Sequence, residues 1–563
     1  MGDPSPESSK ENKSPNKIFL EHREILSLIF KLFVPVQRQN VQGPHDTAAW
    51  RKELLNVALV CRAFRGPALD CLWSHLDSLT PLLKLHPGMQ VLNGLYFFLG
   101  EIDAPEATIF YRYARAVRTI TFNGGKVATH AISLAGMSWL GHQLKGSPLL
   151  PGLRRICFND PGCDSVHMGL LPLLLSPSVE TIDFTGTFLS GDVFHSYSLP
   201  LICNAAPNVK HLSIQDHNAE SCVVIWASLP MILRQLRLQI LSIIFPCNTT
   251  LPPPFAAQLC QNLRTITSLT LDIHTASHGP SMDVNAPLPP SLACLELINR
   301  SHCSVCQCYP QNLVKVATSM TFHVSAHITD SDKFAQTIET LCTLMNLKAV
   351  KIIPKDRKLI IKPAAVKGLL SSLNLETFEI HDGVFQVENG KAGGGLNVLI
   401  DAAYRDKGDD RRNPRVLKSL QTPMRRTDAR GLFCHYPSIS TLVYIARHAQ
   451  GLRQISLAIY SALIGPGFDS LKSLMDTWED PAVPSTLRHL EIADRRPSHH
   501  SAHFEPTEYR DLARLLDIIF PNLDSVTMID NPNRDKTWDE HWKLIEEHRK
   551  MRKALRLCGM SFS

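Results

Sequence analysis

Nowhere in this chain do eighteen apolar residues follow one another, so the sequence offers no membrane span and no membrane partner is expected. Tracts of five like charges are missing as well. Lys and Arg number 58 against 52 Asp and Glu, an excess of six spread over 563 residues. A phosphate backbone calls for a concentrated basic footprint, so no nucleic-acid partner is expected either. Motifs of catalysis are also lacking: there is no G-x-S-x-G elbow and no H-E-x-x-H pair. In "ENGKAGGG" Ala392 follows the lysine where a phosphate loop needs Ser or Thr. The expectation is a protein that is not an enzyme and carries no cofactor.

The 15 cysteines are scattered over the long chain, which favours reduced thiols over a disulfide framework. The sharpest cluster is "SHCSVCQC", in which Cys303 and Cys306 stand at metal-ligand spacing beside His302 and Cys308, with no second pair following. A structural zinc needs four ligands, usually from two pairs, so the expectation is ordinary thiols and no metal. "SHHSAH", with His499, His500 and His503, reads as an exposed loop. The opening stretch, residues 1–17, is rich in Ser, Pro and charge, has no apolar run of a secretory signal and reads as a disordered tail. Reduced thiols without such a signal point to the cytoplasm or nucleus. At this length a single core is too large, and either several domains or a repeat array is expected.

Residues 18–86 have helical patterning. "EHREILSLIFKLF" sets Ile25, Ile29 and Phe33 on one face with Leu26 and Phe30 beside them. A second helix is expected from Asp46 through Trp50, Leu54, Ala58, Cys61 and Phe64, ending at Gly66-Pro67, with Pro67 starting a third that carries Leu69, Leu72, Trp73 and Leu76. The blocks "EILSLIF", "LVCRAF", "PALDCLW" and "DSLTPLLKL", in this order, resemble an F-box, particularly that of fungal F-box proteins with leucine-rich repeats. The resemblance implies a unit that binds the Skp-type adaptor of a cullin-based ubiquitin ligase. By position it implies an adaptor surface of Leu20, Ile25, Leu26, Ile29, Leu59, Val60, Cys61, Phe64 and Trp73. Where the family opens with Leu-Pro, this chain has Glu21-His22.

Beyond residue 115 a different unit recurs, apolar-x-x-apolar-x-apolar. It begins at Val117, Leu153, Val179, Val209, Leu233, Ile266, Leu292, Ala317, Leu347, Leu375, Leu452, Leu487 and Leu523, with a degenerate copy, "LKSLQT", at Leu417. Steps of 24 to 36 residues, and one of 42 into the degenerate copy, fit one strand and one helix or loop per repeat. Pro151, Pro177, Pro207, Pro290 and Pro521 each stand two residues before a start, where a helix stops and a strand begins. "MGLLPLLLS", "SLPLICNAA" and "YRDLARLLDIIF" have helix-like spacing. The pattern resembles a leucine-rich repeat, although the usual Asn or Cys eight residues after the start is replaced in the first seven units, by Gly125, Pro161, Thr187, His217, Leu241, His274 and Arg300.

The expected fold is therefore α/β: a three-helix F-box-like unit, then an irregular leucine-rich-repeat-like solenoid over residues 87–534, with parallel strands inside and helices outside. Residues 386–430, containing "ENGKAGGG" and "RDKGDDRRNPR", read as a loop insertion. Residues 535–563 read as a capping helix with Thr537 and Glu540 as a capping box. Strand side chains alternate, so residues two and four after each start line the exposed sheet face. Arg155, Asp183, His211, Arg237, Glu296, Lys351, Glu379 and Glu491 are the candidate target-binding residues on that face. Its mixed charge suits a protein target. The reading is a substrate-recognition subunit joining that target, through the adaptor, to a cullin. The alternative is a repeat scaffold without ligase association.

Overall fold

A computed structural model describes residues 23–33, 45–92, 95–98, 108–122, 134–159, 169–186, 194–216, 231–245, 265–272, 292–299, 315–324, 338–339, 341–342, 344, 346–354, 360–361, 363–370, 374–381, 384–385, 394–404, 417–422, 437–461, 470–481, 483–494, 504–529 and 538–558. The chain divides into two compact units, Met1–Ser242 and Ile243–Ser563.

The first unit opens with helices α1 (Arg23–Phe33), α2 (His45–Val60) and α3 (Arg62–Trp73). The break between α2 and α3 falls at Cys61, whose backbone is extended at φ −155 and ψ 164, and not at Gly66-Pro67 as the sequence suggested. Pro67 lies inside α3. The residue before a proline is normally pushed out of helical geometry by the Pro ring, and Gly66, without a Cβ, escapes that clash. One residue, Ser74, separates α3 from strand β1 (His75–Leu76), so the first strand lies within the span assigned to the helical domain. An antiparallel hairpin follows, β2 (Met89–Leu92) and β3 (Leu95–Phe98), then α4 (Thr108–Ala116), β4 (Thr119–Phe122), α5 (Leu134–Gln143), β5 (Arg155–Asn159), β6 (Thr181–Thr185), α6 (Leu199–Ala205), β7 (His211–Gln215) and β8 (Ile240–Ile244). The unit boundary falls within β8.

Strands β1, β4, β5, β6, β7 and β8 are neighbours in that order, with parallel pairing registered from β1 to β7. Each repeat makes the same join. The N–H groups one and two residues after the start both donate to a carbonyl of the preceding strand: Arg118 and Thr119 to Ser74, Arg154 and Arg155 to Arg118, Glu180 and Thr181 to Arg154, Lys210 and His211 to Glu180. The apolar triplets of the repeat are buried, and the rings of Phe122, Phe158 and Phe184 stack along the sheet at 5.0 and 5.4 Å. Spacing alone made these strands readable because each triplet has one place to go, the dry side of the sheet.

The unit begun at Leu233 is out of frame. Residues 231–235 are helical, and Gln239 and Ile240 make the paired donation, to Lys210. The repeat therefore starts at Leu238, with Leu241 and Ile243 as its other buried positions. Leu233, Leu236 and Leu238 are buried at the same spacing, so the two frames share Leu238 and look alike in the sequence.

The second unit contains β9 (Ser268–Asp272), β10 (Cys294–Asn299), β11 (Ser319–Val324), β12 (Ala349–Pro354), the small pair β13 (Ile360–Ile361) and β15 (Val384–Phe385), β14 (Thr377–Ile380), β16 (Ser419–Gln421), β17 (Gln454–Ile459), β18 (His489–Asp494) and β19 (Ser525–Met528). Apart from that small pair, they too are parallel neighbours in chain order. Helices α7 (Pro363–Leu370), α8 (Gly394–Tyr404), α9 (Ile439–His448), α10 (Leu471–Asp476), α11 (Pro506–Ile519) and α12 (Asp539–Leu557) pack on one another as the second layer. Within 386–430, read from sequence as a loop, the chain forms α8 and β16. The Gly-rich and charged runs flank "LNVLIDAAY", whose helical apolar spacing they obscured, and "LKSLQT" is a genuine repeat. Helix α12 begins after Trp538, whose side chain makes no capping bond, and Glu540 accepts from Lys543 at 2.6 Å. Thr537 lies outside the described residues.

α12 covers β19 and packs on α11. Arg549, almost fully buried, bonds Asp517 at 3.1 Å, Glu546 at 2.7 Å and the Leu523 carbonyl at 2.9 Å. Trp542 Nε1 donates to Asp494 at 2.9 Å. An edge strand otherwise exposes unpaired backbone and apolar residues, and α12 closes that edge.

Gly152 sits at the turn into β5, where the Arg118 guanidinium donates to the carbonyls of Arg115 at 2.6 Å and Gly152 at 3.1 Å. A Cβ at 152 would run into that guanidinium and stand 2.6 Å from the Arg115 oxygen. Gly152→Ala is expected to lower stability by about 1–3 kcal/mol, read as a shift of the urea midpoint.

Candidate functional site

Leu26, Phe30, Trp50, Leu54, Ala58, Ala68 and Cys71 fill the core between the three N-terminal helices, with Ile29, Phe64, Leu69 and Leu72 packed against it. Phe30 and Phe64 meet edge to face at 5.5 Å, and the Cys71 thiol bonds the Phe30 carbonyl at 3.4 Å. Of the residues expected to face an adaptor, Leu26 is instead a core residue, 2% exposed. Phe64, Ile29 and Cys61 are half-buried. Trp73, also half-buried, stacks on Tyr113 of α4 at 4.6 Å. Leu20 lies outside the described residues. Ile25, Leu59 and Val60 are exposed, the last two at 77% and 69%.

Two more large apolar side chains, Leu28 on α1 and Leu55 on α2, are exposed as well. Leu28 stands three residues after Ile25 and Leu55 four before Leu59, the spacings that place side chains on one helix face. That offset was the signal available in the sequence. The three helices fill their own core and still leave these five large apolar side chains in solvent, and exposed apolar side chains of this kind are found at partner interfaces.

The helical unit is tied to β1 by more than Ser74. Arg51 of α2 pairs with Asp77 at 2.7 Å, donates to the His75 carbonyl at 3.2 Å and lies over the Trp50 ring. Trp50 meets the His75 ring edge to face. Burial, reinforced by the Arg51 charge, lowers the His75 pKa below 6.5. Burial alone lowers that of His86, whose ring packs edge-on against Phe110, and burial is also the main cause at His211. Below pH 6.5 the unfolded chain takes up protons at these positions that the folded chain refuses, so stability falls as pH drops from 6.5. Glu379, held low chiefly by its bond from His381, adds its own loss only below about 4.5. The urea midpoint is expected to decline between pH 6.5 and 5, with a shallower slope in His86→Phe.

On the first unit's sheet face, His75, Thr119, Arg155, Thr181 and His211 stand in one cross-strand row. Thr121, Cys157, Asp183 and Ser213 form the next. Arg155 grips Asp183 through Nη2 at 2.7 Å and Nε at 2.9 Å, and Cys157 bonds the same carboxylate oxygen at 3.3 Å. Burial, with Asp183 beside it, pushes the Cys157 thiol up to about 12, so it serves as a donor and not a nucleophile. Arg237, in the misframed repeat, is exposed just ahead of β8 and off the strand; Ile240 and Ser242 hold the face positions.

On the second unit's face, Glu296, Lys351, Glu379 and Glu491 all lie on strands as expected. Between β10 and β11 the register steps by two, Glu296 standing opposite Ser319, and a step of two keeps every side chain on its own face. Glu296 accepts from Thr321 at 3.1 Å and Thr270 at 3.4 Å. Glu379 meets His381 at 3.2 Å and Lys351 at 3.7 Å, and Glu491 accepts from Ser456 at 2.5 Å. Among the described residues no group of three or more His, Cys, Asp or Glu is placed to hold a metal, and no helix is long and apolar enough to cross a membrane. Cys303, Cys306, His499, His500 and His503 lie outside those residues.

No family model matches the sequence, and no curated protein matches it. Solved structures similar to the chain include a leucine-rich repeat-containing protein, LegL7, from Legionella pneumophila, 12% identical over 72% of this chain and 97% of that one, with a TM-score of 0.34. An internalin, inlF, from Listeria monocytogenes is 12% identical, covers 69% and 89%, and has a TM-score of 0.28. A yeast complex of Rad7 and Elc1 is 12% identical, covers 93% of each chain, and has a TM-score of 0.29. The repeat architecture itself rests on the ladder register and the recurring buried triplets.

Proposed function

We propose that this protein is the substrate-recognition subunit of a Skp-cullin-F-box ubiquitin ligase. The observation that carries the reading is the apolar surface of Ile25, Leu28, Leu55, Leu59 and Val60, left in solvent by helices whose core is already full. The resemblance of these helices to an F-box supplies the occupant, a Skp-type adaptor, and through it a cullin. The polar, mixed-charge sheet faces supply the surface for a protein target. The protein performs no chemistry itself. Holding adaptor and target on one chain raises the concentration of target lysines at the ubiquitin-transferring enzyme. The test is co-purification of the intact chain with the adaptor. Stoichiometric recovery is expected; failure of the intact, folded chain to recover any adaptor overturns the reading in favour of a repeat scaffold without a ligase.

A further inference from the structure

The second unit's sheet face departs in sign from the rest of the chain. The whole sequence carries a net charge of +6, whereas on this face Glu296, Glu379 and Glu491 are set against Lys351, a local balance of −2. The three carboxylates do not form a cluster. Glu296 is on β10 and Glu379 on β14, three ladder steps away; Glu491 is on β18, three steps further. Neighbouring strands lie about 4.8 Å apart, so each interval is about 14 Å across the sheet.

The register refines the first interval. Glu296 lies level with Ser319, Ala349 and Thr377, two residues short of Glu379 along the strand, whereas Glu379, Gln421, Ser456 and Glu491 lie level. The offset of two residues, about 6.6 Å, lengthens the first interval to about 16 Å. Each carboxylate is held in place by its neighbours: Glu296 by two threonine hydroxyls, Glu379 by His381 and Lys351, Glu491 by Ser456 and by Gln454 at 3.5 Å. The positions level with Glu296 are small, Ser319, Ala349 and Thr377, and leave room for a chain to cross there.

An extended polypeptide advances about 3.4 Å per residue. Side chains of an extended chain that face one way are separated by an even number of residues, so each interval takes four residues, about 13.6 Å, and the long Lys or Arg stems make up the difference. We propose that this face binds an extended segment of a partner protein whose Lys or Arg side chains fall at positions 1, 5 and 9, meeting Glu296, Glu379 and Glu491 in turn. The proposal rests on the reading of the repeat face as the target surface and names the chemistry of that target. Glu379 already has Lys351 at 3.7 Å, so the outer two carboxylates carry most of the attraction.

The test uses the full chain and fluorescent twelve-residue peptides, measured by anisotropy at low and high salt. One peptide carries Lys at 1, 5 and 9 in a Ser/Ala background; a second carries the same residues with Lys at 1, 3 and 5; a third has Glu in place of Lys. The first is expected to bind roughly threefold more tightly than the second, which has one matched pair fewer, and to weaken with salt. Glu296→Gln and Glu491→Gln, which keep the size and accepting oxygen of the side chain, are each expected to weaken it about threefold, and Glu379→Gln less. Equal binding of the two Lys peptides, preference for the Glu peptide, or indifference to the Glu→Gln variants overturns the proposal. Adaptor co-purification is read on the same preparations, so failure of the peptide prediction with the adaptor still bound sinks this inference alone.

Discussion

In the proposed receptor, Leu59→Asp combined with Val60→Asp is expected to weaken adaptor binding by more than about a hundredfold, while the chain unfolds at the same urea concentration as before. Both side chains stand at the end of α2 with most of their surface in solvent, and neither belongs to the core of the helical unit. Buried apolar anchors at an interface each contribute about 2 kcal/mol or more, and a carboxylate forced into a dry contact adds its desolvation cost. Two such changes comfortably exceed the 2.7 kcal/mol or so that a hundredfold represents. Phe64→Ala is the instructive contrast. It also weakens binding, but it opens the edge-to-face contact with Phe30 and lowers stability by about 2–4 kcal/mol, so its effect on the adaptor is a folding effect. Co-purification with urea titration on the same samples separates the two. Retention of the adaptor by the double Asp variant would place its docking surface elsewhere.

Trp542→Ala is expected to be the most damaging single change in the second unit, with a stability loss of about 4–6 kcal/mol. Trp542 is 1% exposed and is the largest fully buried side chain in α12. Truncating such a ring costs about 3–5 kcal/mol through lost burial and the cavity left behind. Its indole N–H also donates to Asp494, a buried carboxylate that accepts from Ser461 as well. Leaving a buried acceptor short of a donor adds about 1–3 kcal/mol. Trp542→Phe keeps most of the packing and loses only the bond, so a loss of about 1.5–3 kcal/mol is expected there. Urea midpoints for both variants, with a light-scattering trace to report the uncovered edge of β19, check the prediction. Equal losses in the two would mean that packing is irrelevant at this position.

The strands were legible because burial acts on single residues: Val179, Ile182 and Phe184 each go to the dry side, and the spacing repeats that fact along the chain. The frame at Leu233 was not legible, since its three leucines are as buried as the true triplet and only the backbone donation to Lys210 tells them apart. The helix break at Cys61 escaped for a related reason. Gly-Pro normally ends a helix, and here the glycine's missing Cβ relieves the clash that makes the rule. On the site, Leu59 and Val60 were visible through their motif. Leu26 was not distinguishable from Ile25, because adjacent residues on a broad apolar face differ only in which one turns into the core. The Arg549 network lay beyond reach, its partner Asp517 being 32 positions away on another helix.

The lone residue between α3 and β1 has a mechanical meaning. A helical head joined to a sheet by a flexible tether would swing, and its cargo would sample a cone. Ser74 permits no such swing: its carbonyl receives the N–H groups of Arg118 and Thr119, and its hydroxyl is tied to Cys71 and His75. Head and first strand are welded, so once the head is seated the bearing of the first unit's sheet is set with it. On the proposed function the protein would then work as a fixed bracket, selecting by direction as well as by affinity: a lysine on the wrong side of a bound target would stay out of range however tightly that target is held.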